Sequence, residues 1–285
     1  MEYSSNRTWR THRYAVPPFT RDKGIDYSQL EAIPATRFFD QLSFIGDEWV
    51  GCFVLETSGG LVLIDAMEPR QRYFEMIEAG LSDLGYEGSD ISAVLVTHGH
   101  FDHYGNAGAL REKYGCKLYM TRGDEAFARD PETPRPPFLG GPMPFEVDGY
   151  LEDGVDFTLG DATIGVYETP GHTPHCASFI IEVSDEGRAH VAALWGGTGI
   201  PRSASAREQY LKSCDKFRAA CIDRRVDVEI STHPFIDCTK QRLEICRSLC
   251  DGAANPFVIG EEAVLRYQDM FKQMCIDEIA KAAQH

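Results

Sequence analysis

The chain has 285 residues, and 44 acidic against 28 basic side chains give it a formal charge of −16. This acidic balance excludes a nucleic-acid groove, because neutralising phosphates requires clustered Lys and Arg. No stretch approaches the ~20 apolar residues that a membrane-spanning helix requires, and an aromatic content of 11% excludes a disordered or fibrous chain. We therefore expect a globular protein with no nucleic-acid or membrane partner.

The amino terminus and the cysteines predict the compartment. The segment MEYSSNRTWRTHRYAVPPF has neither the apolar region nor the small-residue cleavage site of a signal peptide. Nine cysteines are scattered through the chain, whereas a disulfide framework would be denser and even-numbered. The sequence thus predicts reduced thiols in a cytoplasmic protein.

Strand and helix patterns alternate along the chain, which predicts an α/β layered fold. Residues 1–36 predict an N-terminal arm with a short helix near Tyr27 to Ala32, and residues 37–285 predict a single domain. Segments on either side of Asp47-Glu48 predict a β-hairpin. The next elements are a buried strand at 61–66, a helix over 69–85, a strand at 91–97, a helix at 104–115, a strand at 117–121 and a helix from about Asp124.

A proline-rich segment divides this half of the chain from the next. Residues 130–149 contain six prolines, and long loops of this kind are commonly lids or binding loops, although a plain connector is the alternative. The later elements are strands at 156–160, 162–170, 177–183, 190–196 and 226–232, with helices at 204–224, 239–251 and 261–282.

The segment VLVTHGHFDHYGNAG contains a cluster of candidate metal ligands. It places His98, His100, Asp102 and His103 within six residues, directly after an apolar strand. Side chains 98 and 100 can converge on one cation while 102 and 103 turn towards another, and imidazole and carboxylate groups are suitable zinc ligands. Structural zinc sites favour cysteine, and none lies in this cluster, so a catalytic site is favoured.

Two further histidines occupy similar positions in the sequence. His172 follows a strand in YETPGHTPHC, and His233 follows another in VEISTHPF. A single histidine at a strand end is usually structural, but five of the nine histidines lie at such junctions. This pattern predicts that they act together.

HGHFDH matches the HxHxDH signature of the metallo-β-lactamase superfamily, and the chain resembles that family over about residues 43–235. LVLIDA resembles the preceding strand with its buried aspartate, here Asp65, and TPGHTP resembles the segment that supplies the third histidine. The resemblance implies a four-layered αββα sandwich that acts on a small-molecule substrate, with two zinc ions at one edge of the sheets.

The resemblance also implies the role of each residue. His98, His100 and His172 would hold the first zinc, and Asp102, His103 and His233 the second. A zinc-bound hydroxide would attack a carbonyl carbon, and Asp102 would orient it as a catalytic residue. Asp65 would fix the histidine loop by hydrogen bonding.

The chain departs from many relatives at one position. Glyoxalase II-like thioesterases and acyl-homoserine-lactone lactonases carry a bridging aspartate where this chain has Gly196-Gly197 in LWGGTG. The site therefore resembles that of the third zinc β-lactamase subclass, in which terminal ligands alone hold both metals. This resemblance favours hydrolysis of a cyclic amide such as a β-lactam.

Alternatives remain open at this point. A lactone, ester or other amide of an endogenous metabolite is the main one, and an iron-dependent oxidoreductase or a non-catalytic metal-binding protein is a weaker one. Tyr104 and Thr198 are candidate substrate-binding groups, although Tyr104 is equally suited to the core. The C-terminal helix is amphipathic and would pack on its own domain or form a dimer contact, so a monomer or a homodimer is expected.

Overall fold

The computed structural model describes residues 29–139, 141, 145–250 and 252–283. The strands of these residues form two sheets. The seven-stranded sheet contains, in spatial order, β1 (Ala32–Arg37), β2 (Leu42–Asp47), β3 (Gly51–Thr57), β4 (Gly60–Ile64), β5 (Ile91–Leu95), β6 (Lys117–Met120) and β7 (Gly149–Tyr150). The five-stranded sheet contains β8 (Phe157–Leu159), β9 (Ala162–Glu168), β10 (Ala177–Asp185), β11 (Arg188–Leu194) and β12 (Val228–Ile230).

Eight α-helices of the described residues flank the two sheets. They are α1 (Gln71–Asp83), α2 (Phe101–Tyr104), α3 (Ala107–Tyr114), α4 (Arg122–Arg129), α5 (Ala204–Asp223), α6 (Pro234–Asp237), α7 (Thr239–Ser248) and α8 (Glu261–Ala282). Among the described residues, no helix is both long and apolar enough to span a bilayer.

Three buried clusters define the layers. The largest lies between the sheets, where Phe53 and Leu95 of the first sheet face Phe179 and Ile230 of the second. A second cluster joins the first sheet to α1, α3 and α4, and a third joins the second sheet to α5 and α8. Because each sheet buries both of its faces, the four-layered αββα sandwich predicted from the sequence is confirmed.

The start of the domain differs from the prediction. Most of the predicted arm, including Tyr27, lies outside the described residues, and residues 29–31 are not helical. Residues from Ala32 instead form β1, which pairs antiparallel with β2. Pro34 is compatible with this edge strand because an edge residue need not donate its N–H to the ladder.

Two other boundaries also differ. The helix predicted over 104–115 is divided into α2 and α3, with Gly105 between them. A Cβ on Gly105 would lie 2.5 Å from the carbonyl oxygen of Met67, so the chain packs backbone against backbone at this point. The predicted loop at 130–149 ends in the two-residue β7, which is too short to produce a sequence pattern.

Strand direction brings the candidate site together. In the first sheet β4 and β5 are parallel, so Asp65 and the HGHFDH segment follow strand ends at one edge. In the second sheet β9, β11 and β12 run the same way, because β10 is antiparallel to both β9 and β11 and β12 is parallel to β11. The loops carrying His172 and His233 therefore reach one edge. Backbone bonds from Ala177 N to Thr97 O, 2.7 Å, and from Gly51 N to Thr232 O, 2.8 Å, join the two sheets there.

Candidate metal centre

The six predicted ligands lie together at this edge in two groups of three. The first group is His98, His100 and His172, and the second is Asp102, His103 and His233. Within each group, one ligand atom per residue lies within 4.8 Å of the others. The groups are adjacent, since the ring centroids of His98 and His103 are 3.9 Å apart.

The spacing of the ligand atoms matches the size of a zinc ion. Two atoms bound to a tetrahedral zinc at ~2.05 Å are roughly 3.3 Å apart. In the first group, His100 Nδ1 and His172 Nε2 are 3.0 Å apart. In the second, His103 Nε2 is 3.2 Å from His233 Nε2, and both lie 3.7 Å from Asp102 Oδ2.

Hydrogen bonds at the opposite ring nitrogens hold four of these imidazoles. His98 Nδ1 lies 3.1 Å from the Thr97 hydroxyl, and His172 Nδ1 lies 2.7 Å from the Gly199 carbonyl. His103 Nδ1 lies 2.6 Å from Asp65 Oδ2, and His233 Nδ1 lies 2.8 Å from the Trp49 carbonyl oxygen. Such bonds fix ring orientation and tautomer, and they leave Nε2 directed at the site.

Burial controls the protonation of most of these histidines. It lowers the pKa of His98 and His172 well below the usual value, and it lowers those of His100 and His233 to about 4. These four rings are neutral at pH 7, which is the form that binds a metal.

His103 and Asp102 behave differently. Burial lowers the pKa of His103, but the carboxylates of Asp65 and Asp102 outweigh it and raise that pKa overall. Burial raises the pKa of Asp102, but the neighbouring histidines His103, His233 and His100 bring it below its usual value. Asp102 is therefore ionised and able to accept a cation.

One buried atom tests the fit of the site to a metal directly. In the described part of the chain His98 Nε2 is buried and has no hydrogen-bond partner. An unpaired buried polar atom is costly, and this one belongs to the group whose other ligand atoms are His100 Nδ1 and His172 Nε2. The three nitrogens fit a zinc ion, with a position left for a fourth ligand.

Close packing explains why positions 196, 197 and 199 are glycine. A Cβ on Gly196 would lie 2.0 Å from the Ala177 carbonyl oxygen, and one on Gly197 would lie 2.5 Å from His172 Cβ. A Cβ on Gly199 would lie 2.6 Å from the His172 ring. No bridging carboxylate can stand at these positions unless His172 or the β10 backbone moves.

The loop beneath the histidines is strained. Asp65 and Met67 have φ of 64° and 54°, in the left-handed region that costs non-glycine residues of order 1–3 kcal/mol. Asp65 is held there because its carboxylate accepts bonds from the backbone N–H and the hydroxyl of Thr97 and also contacts His103. The Asp65 N–H also donates to the Leu95 carbonyl.

The two candidate substrate-binding residues differ in their surroundings. Tyr104 is only 2% exposed and packs in the core below the first sheet, 5.0 Å from the Phe145 ring, so the structure places it in the core rather than on a pocket wall. Thr198 is half-buried and stands between Gly197 and Gly199, both of which touch His172.

The sequence interpretation missed two contributors. Trp49 offers a carbonyl oxygen to His233, and no local pattern marks a backbone oxygen. Asp124, expected only as the start of a helix, is fully buried and bonded to the loops of both His100 and His172.

Comparisons with known proteins identify the family of the chain. Residues 50–185 match the family model described as the metallo-beta-lactamase superfamily. A hydroxyacylglutathione hydrolase of Rhodopseudomonas palustris is 32% identical over 113 residues, which are 40% of this chain and 37% of that protein. An uncharacterized protein of Mycobacterium leprae is 33% identical over 191 residues, which are 58% of this chain and 82% of that one.

Solved structures give matches over most of the chain. The subclass B3 metallo-beta-lactamase BJP-1 of Bradyrhizobium japonicum has a TM-score of 0.75 at 26% identity, covering 88% of this chain and 96% of its own. FEZ-1 of Legionella gormanii has a TM-score of 0.74 at 21% identity over 88% of this chain and 96% of its own, which shows the shared fold. The chain belongs to the metallo-beta-lactamase superfamily, and its structural neighbours include a subclass B3 enzyme.

Proposed function

We propose that this protein is a dizinc hydrolase that cleaves a cyclic amide, with β-lactam ring opening as its recognisable reaction. The observation that carries the proposal is the pair of adjacent ligand groups, His98/His100/His172 and Asp102/His103/His233. Their nitrogen and carboxylate donors suit zinc, and each group has three protein ligands. Three ligands per ion are the pattern of catalytic rather than structural zinc.

When bound, zinc would supply Lewis-acid activation of a water molecule and of the substrate carbonyl. The chain's part is to hold the donors in a buried, oriented arrangement. Asp102 is 8% exposed and ionised, so its carboxylate would accept a hydrogen bond from a water molecule and orient that water.

Two findings favour a cyclic amide among carbonyl substrates. The glycines next to His172 leave no room for a bridging carboxylate, as the sequence resemblance to the third zinc β-lactamase subclass implies. BJP-1, a subclass B3 metallo-beta-lactamase, covers 88% of the chain at 26% identity. The proposed substrate is therefore a β-lactam or a related cyclic amide.

A second candidate is hydrolysis of a lactone, an ester or another amide. The specific observation in its favour is the 32% identity to a hydroxyacylglutathione hydrolase. That match covers 37% of the relative's length, less than two thirds, and carries no information on the rest of its site.

Hydrolysis of a chromogenic cephalosporin tests the proposal. We expect the zinc-loaded protein to turn it over with kcat/KM near or above ~10⁴ M⁻¹s⁻¹, the lower range of ordinary enzymes. A chelator should abolish turnover, and added zinc should restore it. His103→Ala should lose one bound zinc and most of the activity.

His190→Gln is the matched control, because His190 pairs with Asp227 at 2.6 Å near the start of β11, whereas the site lies beyond the other end of that strand. It should retain two zinc ions and full activity. Absent turnover in a protein that holds two zinc ions would reject the β-lactam substrate and direct the search to lactones, esters and amides. Full turnover by His103→Ala would reject the dinuclear site.

We propose a cytoplasmic location as well. All nine cysteines are free thiols, and Cys250 is exposed. The cytosol keeps such thiols reduced. Lysis of the cells in denaturant with a thiol-blocking reagent, followed by counting the blocked cysteines by mass spectrometry, would test this. Nine blocked cysteines are expected, and any cysteine that stays unblocked because it is paired in a disulfide would contradict the proposal. Light scattering would distinguish a monomer from a homodimer, the two states that the sequence allows.

A further inference from the structure

Asp124 lies between the two loops that supply the first ligand group. It belongs to the first turn of α4, and its side chain is fully buried. One of the loops follows β5 and carries His98 and His100. The other follows β9 and carries His172.

The carboxylate of Asp124 is bonded to both loops. Oδ2 accepts the backbone N–H of Gly99 at 2.8 Å and the hydroxyl of Thr173 at 2.6 Å. Oδ1 accepts the backbone N–H of His175 at 2.9 Å. Gly99 lies between His98 and His100 in the chain, and Thr173 is next to His172, so a single carboxylate spans the ligand group from behind.

The turn that carries Asp124 is itself fixed. The Thr121 hydroxyl caps α4 by accepting the N–H of Asp124 at 3.3 Å, and it donates to the His175 carbonyl at 2.8 Å. Gly99 also packs closely here, because a Cβ on it would lie 2.6 Å from the carbonyl oxygen of Asp124. The helix cap, the bond from Thr121 to His175 and the close packing of Gly99 together fix the position of Asp124.

We propose that Asp124 is a positioning residue for the first ligand group. It sets the separation between His98 and His100 on one loop and His172 on the other, and through that separation the affinity of the first metal site. This inference rests on the proposed metal-dependent function. It assigns Asp124 no contact with metal or substrate, and it predicts no effect on the second ligand group.

Replacing Asp124 with Asn tests this at constant volume. An amide has one acceptor oxygen, and its NH2 group only donates, so it cannot accept all three bonds from Gly99, Thr173 and His175. The loops remain joined by the bond from Ala177 N to Thr97 O, 2.7 Å. We therefore expect a folded protein in which one metal site is weakened.

The experiment measures zinc affinity by chelator competition in the full-length protein, with each site isolated in turn. His233→Ala disables the second group and leaves the first, and His100→Gln does the reverse. Asp124→Asn should weaken zinc binding about 10- to 100-fold in the His233→Ala background, the usual range for partners of metal ligands. In the His100→Gln background the change should stay below about threefold.

Matched variants separate positioning from general stability. Asp227 lies away from the site, and its carboxylate accepts the Val191 N–H at 3.0 Å. Asp227→Asn should therefore leave the zinc affinity of both groups unchanged. Thr173→Val, which removes one bond to Asp124, should weaken the first site, and Thr173→Ser should restore it. The d–d absorption of bound Co²⁺ should change in Asp124→Asn only where Co²⁺ occupies the first group.

Equal weakening of both sites would overturn the proposal, and so would unchanged affinities with a lowered unfolding temperature of the metal-free protein. Either result would make Asp124 merely structural. If the unmodified protein binds no zinc, the proposed function fails together with this inference. If it binds two zinc ions without hydrolysing any substrate, only the proposed reaction fails, because the affinity measurements do not depend on turnover.

Discussion

His103 Nδ1 lies 2.6 Å from Asp65 Oδ2, and both side chains are at most 1% exposed. This contact fixes the proton on Nδ1, so that Nε2 faces Asp102 and His233. The strained backbone at Asp65 is the structural cost of placing a carboxylate beneath the histidine loop.

Replacing Asp65 with Asn should weaken the second site. The amide cannot accept every bond that the carboxylate receives from Thr97 and His103, and it removes the charge that raises the pKa of His103. We expect zinc affinity at the Asp102/His103/His233 group to fall about 10- to 100-fold, measured by chelator competition in the His100→Gln background. Asp161→Asn, a surface carboxylate that accepts the Ser58 N–H, is the control, and equal effects in the two variants would contradict the prediction.

The metal-free protein should lose stability as the pH falls from about 6.5 towards 4. Burial lowers the folded-state pKa of His98, His100, His172 and His233, so the unfolded chain takes up protons first. Each such histidine contributes at most about 1.4 kcal/mol per pH unit within this window. His103 acts in the opposite sense: its stabilisation is complete below pH ~6.5 and is lost as the pH rises through its raised pKa.

Denaturant unfolding of chelator-treated protein between pH 4.5 and 7.5 checks this expectation. His100→Gln should flatten the profile by removing one of the four groups, whereas His190→Gln should leave the contribution of the site histidines intact. A pH profile of His100→Gln identical to that of the unmodified protein would contradict the prediction.

Adding one methyl group at position 197 should damage the first site. In Gly197→Ala the new Cβ would meet His172 Cβ at 2.5 Å and Cys176 Sγ at 2.9 Å, so His172 must move. Zinc affinity in the His233→Ala background should fall at least tenfold, a loss of about 1.4 kcal/mol. Gly165→Ala is the control, because its nearest neighbour is the Tyr167 ring at 3.2 Å, which can give way. Unchanged affinity in Gly197→Ala would contradict the steric account of LWGGTG.

The proline-rich loop should affect substrate binding and not metal binding. Phe138 is 47% exposed, has the Arg70 guanidinium 4.0 Å from its ring centre, and lies 6.0 Å from Phe101, which follows His100. Phe138→Ser should raise KM about 3- to 10-fold by removing part of an apolar contact worth about 1–2 kcal/mol, with kcat and zinc content nearly constant. Val155 is another exposed apolar residue, and Val155→Ser should change neither KM nor kcat. An unchanged KM would favour the plain-connector interpretation.

The sequence alone predicted the layered fold, and through its resemblance to family motifs it predicted the six residues that the structure brings together in two groups of three. Strand and helix periodicity reports burial locally, so the order of elements could be predicted from one chain. HGHFDH is a contiguous motif, and His172 and His233 each follow a recognisable strand. The position of Tyr104 could not be predicted in this way, because an aromatic residue at the start of a helix has the same local pattern whether it faces a pocket or the core.

Only the tertiary structure decided the contacts between segments distant in the chain. Asp124 lies 25 residues from Gly99 and 49 from Thr173, and the Trp49 carbonyl lies 184 residues from His233. The reason for glycine at 197 is likewise a clash with His172, which no neighbour in sequence reveals. Periodicity encodes which side of an element is buried, but the partner of a hydrogen bond or a close contact is set by how the two sheets pack, and that information is not local.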